Sequence, residues 1–165
     1  MRPCSEVRTD PKPPHKDKRK GSGVSQVATA CLEAKGAPLE IQEFFQSYIR
    51  AQGWRFTEEK IVADGWMFVR HLDKDELLQF AKEGRFAGRV TWTEGKALVL
   101  VTTSELDDGF TRTEVTARLQ GFGQSVDRLA PPKDTWDLDS SGVLEKTLIE
   151  ALEDHFKSLH ERPSP

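Results

Sequence analysis

Phe110-Thr111-Arg112-Thr113-Glu114 onward to Gln120 alternates residue by residue: Thr111, Thr113, Val115, Ala117 and Leu119 on one side, Arg112, Glu114, Thr116, Arg118 and Gln120 on the other. A period of two places these sets on opposite faces of a strand. One polar face argues for an antiparallel sheet with one side in water. Just upstream, Ala97-Leu98-Val99-Leu100-Val101 is a continuous apolar run, the pattern of a central strand covered on both faces.

Around these two strands the punctuation suggests a meander. Glu94-Gly95 reads as a turn joining Arg89–Thr93 to Lys96–Thr103, and Leu106 to Gly109 as the next turn. Asp64-Gly65 reads as a tight hairpin with φ > 0, joining a strand at Trp54-Phe56 to Trp66–Arg70. Asp73–Ala81, acidic first and apolar later, predicts a short crossing helix. Gly121, Gly123, Pro131 and Pro132 predict a loop running to about Ser140.

Helices are expected at both ends. Pro38 suits a first helical turn, and Ile41, Phe44, Phe45, Tyr48 and Ile49 form one apolar stripe, with Gly53 as the stop. Val143, Leu144, Leu148, Leu152, His155, Phe156 and Leu159 form another, capped by Ser140 or Ser141. The expected fold is therefore α+β: an antiparallel sheet of about five strands, with an N-terminal and a C-terminal helix packed on one face.

Composition divides the chain. Residues 1–20 hold seven basic and three acidic side chains, a net +4, which leaves −7 of the total −3 for residues 21–165. Residues 1–35, with four early prolines and no aromatic, read as a disordered basic tail and linker, with a short helix conceivable over 24–35. Residues 36–162 read as a single domain. Its acidic balance argues against a nucleic-acid groove. No stretch approaches the ~20 apolar residues of a membrane span, so the expectation is a soluble, cytoplasmic protein. The alternative is an envelope domain anchored near Cys31, because basic residues followed by Val24 to Ala30 and then Cys31 caricature a lipoprotein signal. Cys4 and Cys31 lie outside the expected core and form no CxxC pattern, so no disulfide framework is expected.

Chemistry-bearing patterns are few. Asp137-Leu138-Asp139-Ser140-Ser141-Gly142 matches the start of a calcium loop, with Asp137, Asp139 and Ser141 as candidate ligands. The twelfth position is Leu148 instead of Glu, which favours a loop ending in a helix cap. Asp107-Asp108-Gly109 reads as turn chemistry, and Asp73, Asp75 and Glu76 beside His71 as a helix start. Gly121-Phe122-Gly123 lacks the strand–glycine–helix context of a nucleotide fingerprint. With no catalytic constellation and no cofactor implied, the favoured function is a non-enzymatic interaction or accessory domain with a protein partner. The alternative is a small-ligand binder or enzyme with its site between sheet and helices. Partner-binding candidates are Arg112, Glu114 and Arg118 on the polar strand face, and Trp136 as an anchor or core lid, whereas Trp54, Trp66 and Trp92 belong to the core.

Overall fold

A computed structural model describes residues 1–4, 29–126 and 134–161. The elements run β1 (Arg2–Pro3), β2 (Thr29–Ala34), α1 (Pro38–Ala51), β3 (Phe56–Val62), β4 (Gly65–Asp73), α2 (Lys74–Phe80), β5 (Ala81–Lys82), β6 (Val90–Glu105), β7 (Thr111–Ser125), β8 (Asp134–Ser140) and α3 (Val143–Glu161). Most of the strands form one antiparallel path, β1-β2-β7-β6-β4-β3, while β8 pairs with the end of β7 beyond β2, and β5 pairs with β8.

This overturns the expected five-stranded sheet framed by an N-terminal and a C-terminal helix. The described residues hold eight strands and three α-helices, and strands, not a helix, come first. A helix does close the chain, but α1 is inserted after β2. Two physical causes explain the difference. Thr29–Ala34, expected within a tail or a short helix, is a strand because Ala30, Leu32 and Ala34 alternate onto the core face opposite Val115, Thr113 and Thr111. The expected Glu94-Gly95 turn does not exist: β6 passes straight through it, with a bulge between Trp92 and Glu94.

Glycine misled the reading elsewhere too. The turn before β4 falls at Ala63 and Asp64, and Gly65 already pairs with Val62. A Cβ on Gly65 would run into the Val101 carbonyl, so the residue serves close backbone approach and has no positive φ. The expected loop after Gln120 is likewise strand: β7 continues through Gly121, over which the Trp92 ring lies, and β8 occupies Asp134–Ser140. Pro131 and Pro132 lie outside the described residues.

One core lies between the sheet and the helices. The stripe Ile41, Phe45 and Ile49 of α1, Leu77 of α2, and Leu144, Leu148, Leu152 and Phe156 of α3 pack against Trp66, Phe68, Val99, Val115 and Leu119. The start of α2 carries a reciprocal capping box, Asp73 accepting from the Glu76 N–H and Glu76 from the Asp73 N–H. No helix among the described residues is long and apolar enough to cross a membrane.

Candidate functional site

The helices leave the other face of the sheet uncovered, and this face is concave. Register fixes its rows: Met67, Leu100 and Thr116 lie side by side across β4, β6 and β7; next come Val69, Leu98 and Arg118; then His71, Lys96, Gln120 and Asp137, the last from β8. A half-open cavity of about 590 Å³ sits over these rows. Its apolar lining includes Met67, Val69 and Leu98, with Thr57 and Glu58 on the β3 side and Asp137 and Asp139 on the β8 side.

Leu98 is 37% exposed, a large apolar side chain held towards water. The continuous run Ala97–Val101 therefore marks a strand that is buried on one face and apolar, but open, on the other. The charges around it have two signs. Glu58, Lys96, Arg118 and Asp139 make no ion pair among the described residues. Lys96 Nζ lies 5.8 Å from the centre of the Phe122 ring, and Asp137 accepts a hydrogen bond from Gln120 Nε2 at 3.2 Å. His71 and Glu94 meet at 3.2 Å just beyond the cavity.

The residues anticipated as partner-binding separate into three places. Arg118 lines the cavity. Arg112 and Glu114 share its face of β7 but lie opposite β2, where Arg112 Nε donates to Glu114 at 3.0 Å and Arg112 Nη1 stands 3.8 Å from Glu33. Trp136 lies against the core: its ring stands perpendicular to Trp92, with centroids 5.6 Å apart, and 6.3 Å from Phe86.

The calcium-loop candidates are in a strand and a cap. Asp137 and Asp139 belong to β8, and Ser141 Oγ donates to the Gln79 carbonyl at 3.0 Å and accepts from the Val143 N–H. Ser140 Oγ accepts from the Gly142 N–H and donates to the Glu145 carboxylate. Among the described residues no group of three or more His, Cys, Asp or Glu is placed to hold a metal ion.

Sequence reasoning missed the bond between Cys4 and Cys31, whose Cα atoms are 5.8 Å apart across 27 positions. It also missed Lys96, Met67, Val69 and Leu98. The signal for Leu98 and Leu100 was present, since they sit on the face of β6 that aligns with the polar side of β7.

Arg70 and Glu145 are ionisable groups buried away from the cavity. Arg70 lies between Trp54, 3.8 Å from its ring centre, and Phe80, and pairs with Glu76. Burial lowers its pKa, and its Nε and Nη1 find no partner among the described residues. Glu145 is 1% exposed, and burial pushes its carboxyl above the ordinary glutamate range, against the pull of the Ser140 hydrogen bond. The folded chain therefore holds this proton to higher pH than the unfolded chain does. The associated stability is complete below the ordinary glutamate range and is lost as pH rises through the raised value. Glu145→Gln should remove that loss, so its stability relative to the parent rises with pH between acid and neutral in urea titrations.

Compared with models of protein families, with curated proteins and with solved structures, the chain matches none of them.

Proposed function

We propose that this protein is a non-catalytic binding domain and that the open, concave face of its sheet receives the ligand. The observation that carries this reading is the half-open cavity into which the exposed Leu98 is set. A pocket of this size, with polar and apolar side chains lining it in comparable measure, falls in the range of small-molecule and peptide sites. Its charges of both signs, which make no ion pair among the described residues, favour a ligand that is itself amphipathic and carries both signs, such as a short polypeptide segment: Lys96 and Arg118 for its carboxylates, Glu58 and Asp139 for its cations. The alternative site between sheet and helices has less support, because Phe45, Trp66, Phe68, Leu148 and Leu152 fill that space.

The disulfide bears on location. Such bonds persist in oxidising compartments and are rare in the cytosol. The Cys4–Cys31 bond thus favours an oxidising compartment over the cytoplasm, and a Cys31 sulfur committed to Cys4 leaves no thiol for a lipid.

The test is an NMR titration of the full chain with a library of short zwitterionic peptides. Shifts should cluster at Met67, Val69, Lys96, Leu98 and Arg118. The double variant Leu98→Asp, Arg118→Glu should fold normally, since exposed positions alter stability by only about 0.5 kcal/mol, and should lose about tenfold or more in affinity. Shifts confined to the helices, or affinity unchanged in the double variant, would remove the open face as the site.

A further inference from the structure

The edge of the sheet carries a second built feature, independent of the concave face. β1 contacts β2 through only two residues, Arg2 opposite Glu33 and Pro3 opposite Leu32. Around Arg2 the surface is shaped to a guanidinium. Arg2 Nε donates to Glu33 Oε1 at 2.6 Å, Nη2 donates to Asp108 Oδ2 at 2.6 Å, and the guanidinium carbon lies 3.9 Å from the centre of the Phe110 ring. These are two charge-assisted hydrogen bonds to separate carboxylates plus a cation–π contact, the combination that distinguishes arginine from lysine.

The three groups come from β2 and from the turn before β7, so the slot is assembled by the fold and not by the N-terminal segment that fills it. Phe110 N–H donates to Asp108 Oδ1 at 3.2 Å and fixes that carboxylate in place. Glu33 is 1% exposed, and a buried carboxylate requires a cationic partner. Arg112, 3.8 Å away, supplies one charge from inside the fold, and Arg2 supplies another from outside it.

Two residues of ladder gain little against the chain entropy lost on docking. What holds Met1–Cys4 at the slot is the bond from Cys4 to Cys31, on the strand that carries Glu33. Beneath β1 lies the edge of β2, and a strand edge offers main-chain donors and acceptors to any extended segment that can lie along it.

We propose that Glu33, Asp108 and Phe110 form a guanidinium-binding slot on the β2 edge for an arginine-bearing extended segment of a partner protein, which Met1–Cys4 fills in cis while the Cys4–Cys31 disulfide holds it there. The occupant's chemistry is read from the segment already seated: an extended backbone with an arginine whose charge complements two carboxylates. Access is gated by thiol–disulfide exchange. A thiolate of a dithiol reductant attacks one cysteine sulfur and expels the other cysteine as a thiolate, which takes up a proton. The reductant's second thiol then displaces the attacked cysteine from the mixed disulfide, and the products are the Cys4 and Cys31 thiols and the oxidised, cyclic reductant. The released segment then competes with a partner strand instead of blocking it. The Arg2 hydrogen bond holds the Asp108 carboxyl below its ordinary value, as direct occupation of the slot requires.

The experiment uses the full chain in two forms: the oxidised parent, and a variant carrying Arg2→Gln with Cys4→Ser, in which the slot is vacated. The probe is a fluorescein-labelled peptide copying residues 1–5 with serine in place of cysteine, and its control carries glutamine in place of arginine. The arginine peptide should bind the vacated chain about tenfold or more tighter than it binds the oxidised parent, and tighter than the control by a similar factor. Adding Asp108→Asn, at an exposed turn position, should weaken it again. Adding Leu98→Asp should leave it unchanged, which separates failure here from failure of the open-face reading. Equal binding to the parent and the vacated chain would overturn the slot, as would indifference to the arginine or no binding to a vacated chain whose core resonances match the parent.

Discussion

Trp66→Ala is expected to lower the unfolding free energy by about 3–5 kcal/mol, the usual range for deleting a buried aromatic. Trp66 is 1% exposed and lies on the core face of β4 opposite Val101. Its ring centroid is 5.0 Å from that of Phe68, which in turn meets Phe56 edge-on at 5.5 Å, so one truncation opens a void beside an aromatic cluster. The indole N–H donates to Glu59 Oε1 at 3.0 Å, a bond to a charged acceptor on the neighbouring strand that alanine cannot make. Relaxation into the void is restricted, because β4 is held by β3 on one side and β6 on the other. Trp66→Phe keeps most of the volume and loses the N–H, and should cost about 1–2 kcal/mol. Urea unfolding followed by circular dichroism measures both. A loss below about 1 kcal/mol for the alanine variant would mean that the ring is not a core element, against the burial range just cited.

What the sequence made legible is what periodicity can carry. The α1 stripe at Ile41, Phe45 and Ile49 is buried as its spacing requires, and the β7 alternation places Val115, Ala117 and Leu119 inward. Thr111 and Thr113, on the same inward face, are buried as well, and Thr111 Oγ1 donates to the Gly36 carbonyl at 2.6 Å. Strand length was illegible where it depended on glycines. A glycine in sequence looks the same whether it permits a turn or merely admits a neighbour, and at Gly65, Gly95 and Gly121 the neighbour belongs to an element distant in sequence or to an adjacent strand. Local signals cannot report that neighbour.

The candidate site was half legible for a similar reason. The polar side of β7 was visible, and Arg118 came with it. The apolar lining of the cavity was not, because Leu98 read as buried when only a three-dimensional sheet with helices on one side leaves it open. The N-terminal slot was the least legible feature. Glu33 and Asp108 lie 31 and 106 positions from Arg2, and nothing local to any of the three signals that they meet.

Gly95 provides the sharpest test of that distinction. In β6 it stands beside Gly121 of β7 and Leu72 of β4, far from any turn. A Cβ there would lie 2.5 Å from the Gln120 carbonyl oxygen and 2.7 Å from Leu77 Cδ1. Leu77 is fully buried and fastens α2 to the sheet, so it has no open space to move into. The Gln120 carbonyl belongs to the β6–β7 ladder and cannot retreat without disturbing it. Gly95→Val should therefore cost about 3 kcal/mol, at the upper end of the overpacking range. Gly95→Ala should cost somewhat less. The double variant Gly95→Ala, Leu77→Ala separates close approach from turn geometry. If Leu77 is part of the obstacle, the two changes share a site, and their combined cost should fall short of the sum of the single costs by about 1 kcal/mol. If Gly95 were instead needed for its backbone conformation, shortening Leu77 would bring no relief and the costs would add. Since Gly95 has no positive φ, coupling is the expected result, and it would locate the constraint in the contact between α2 and β6.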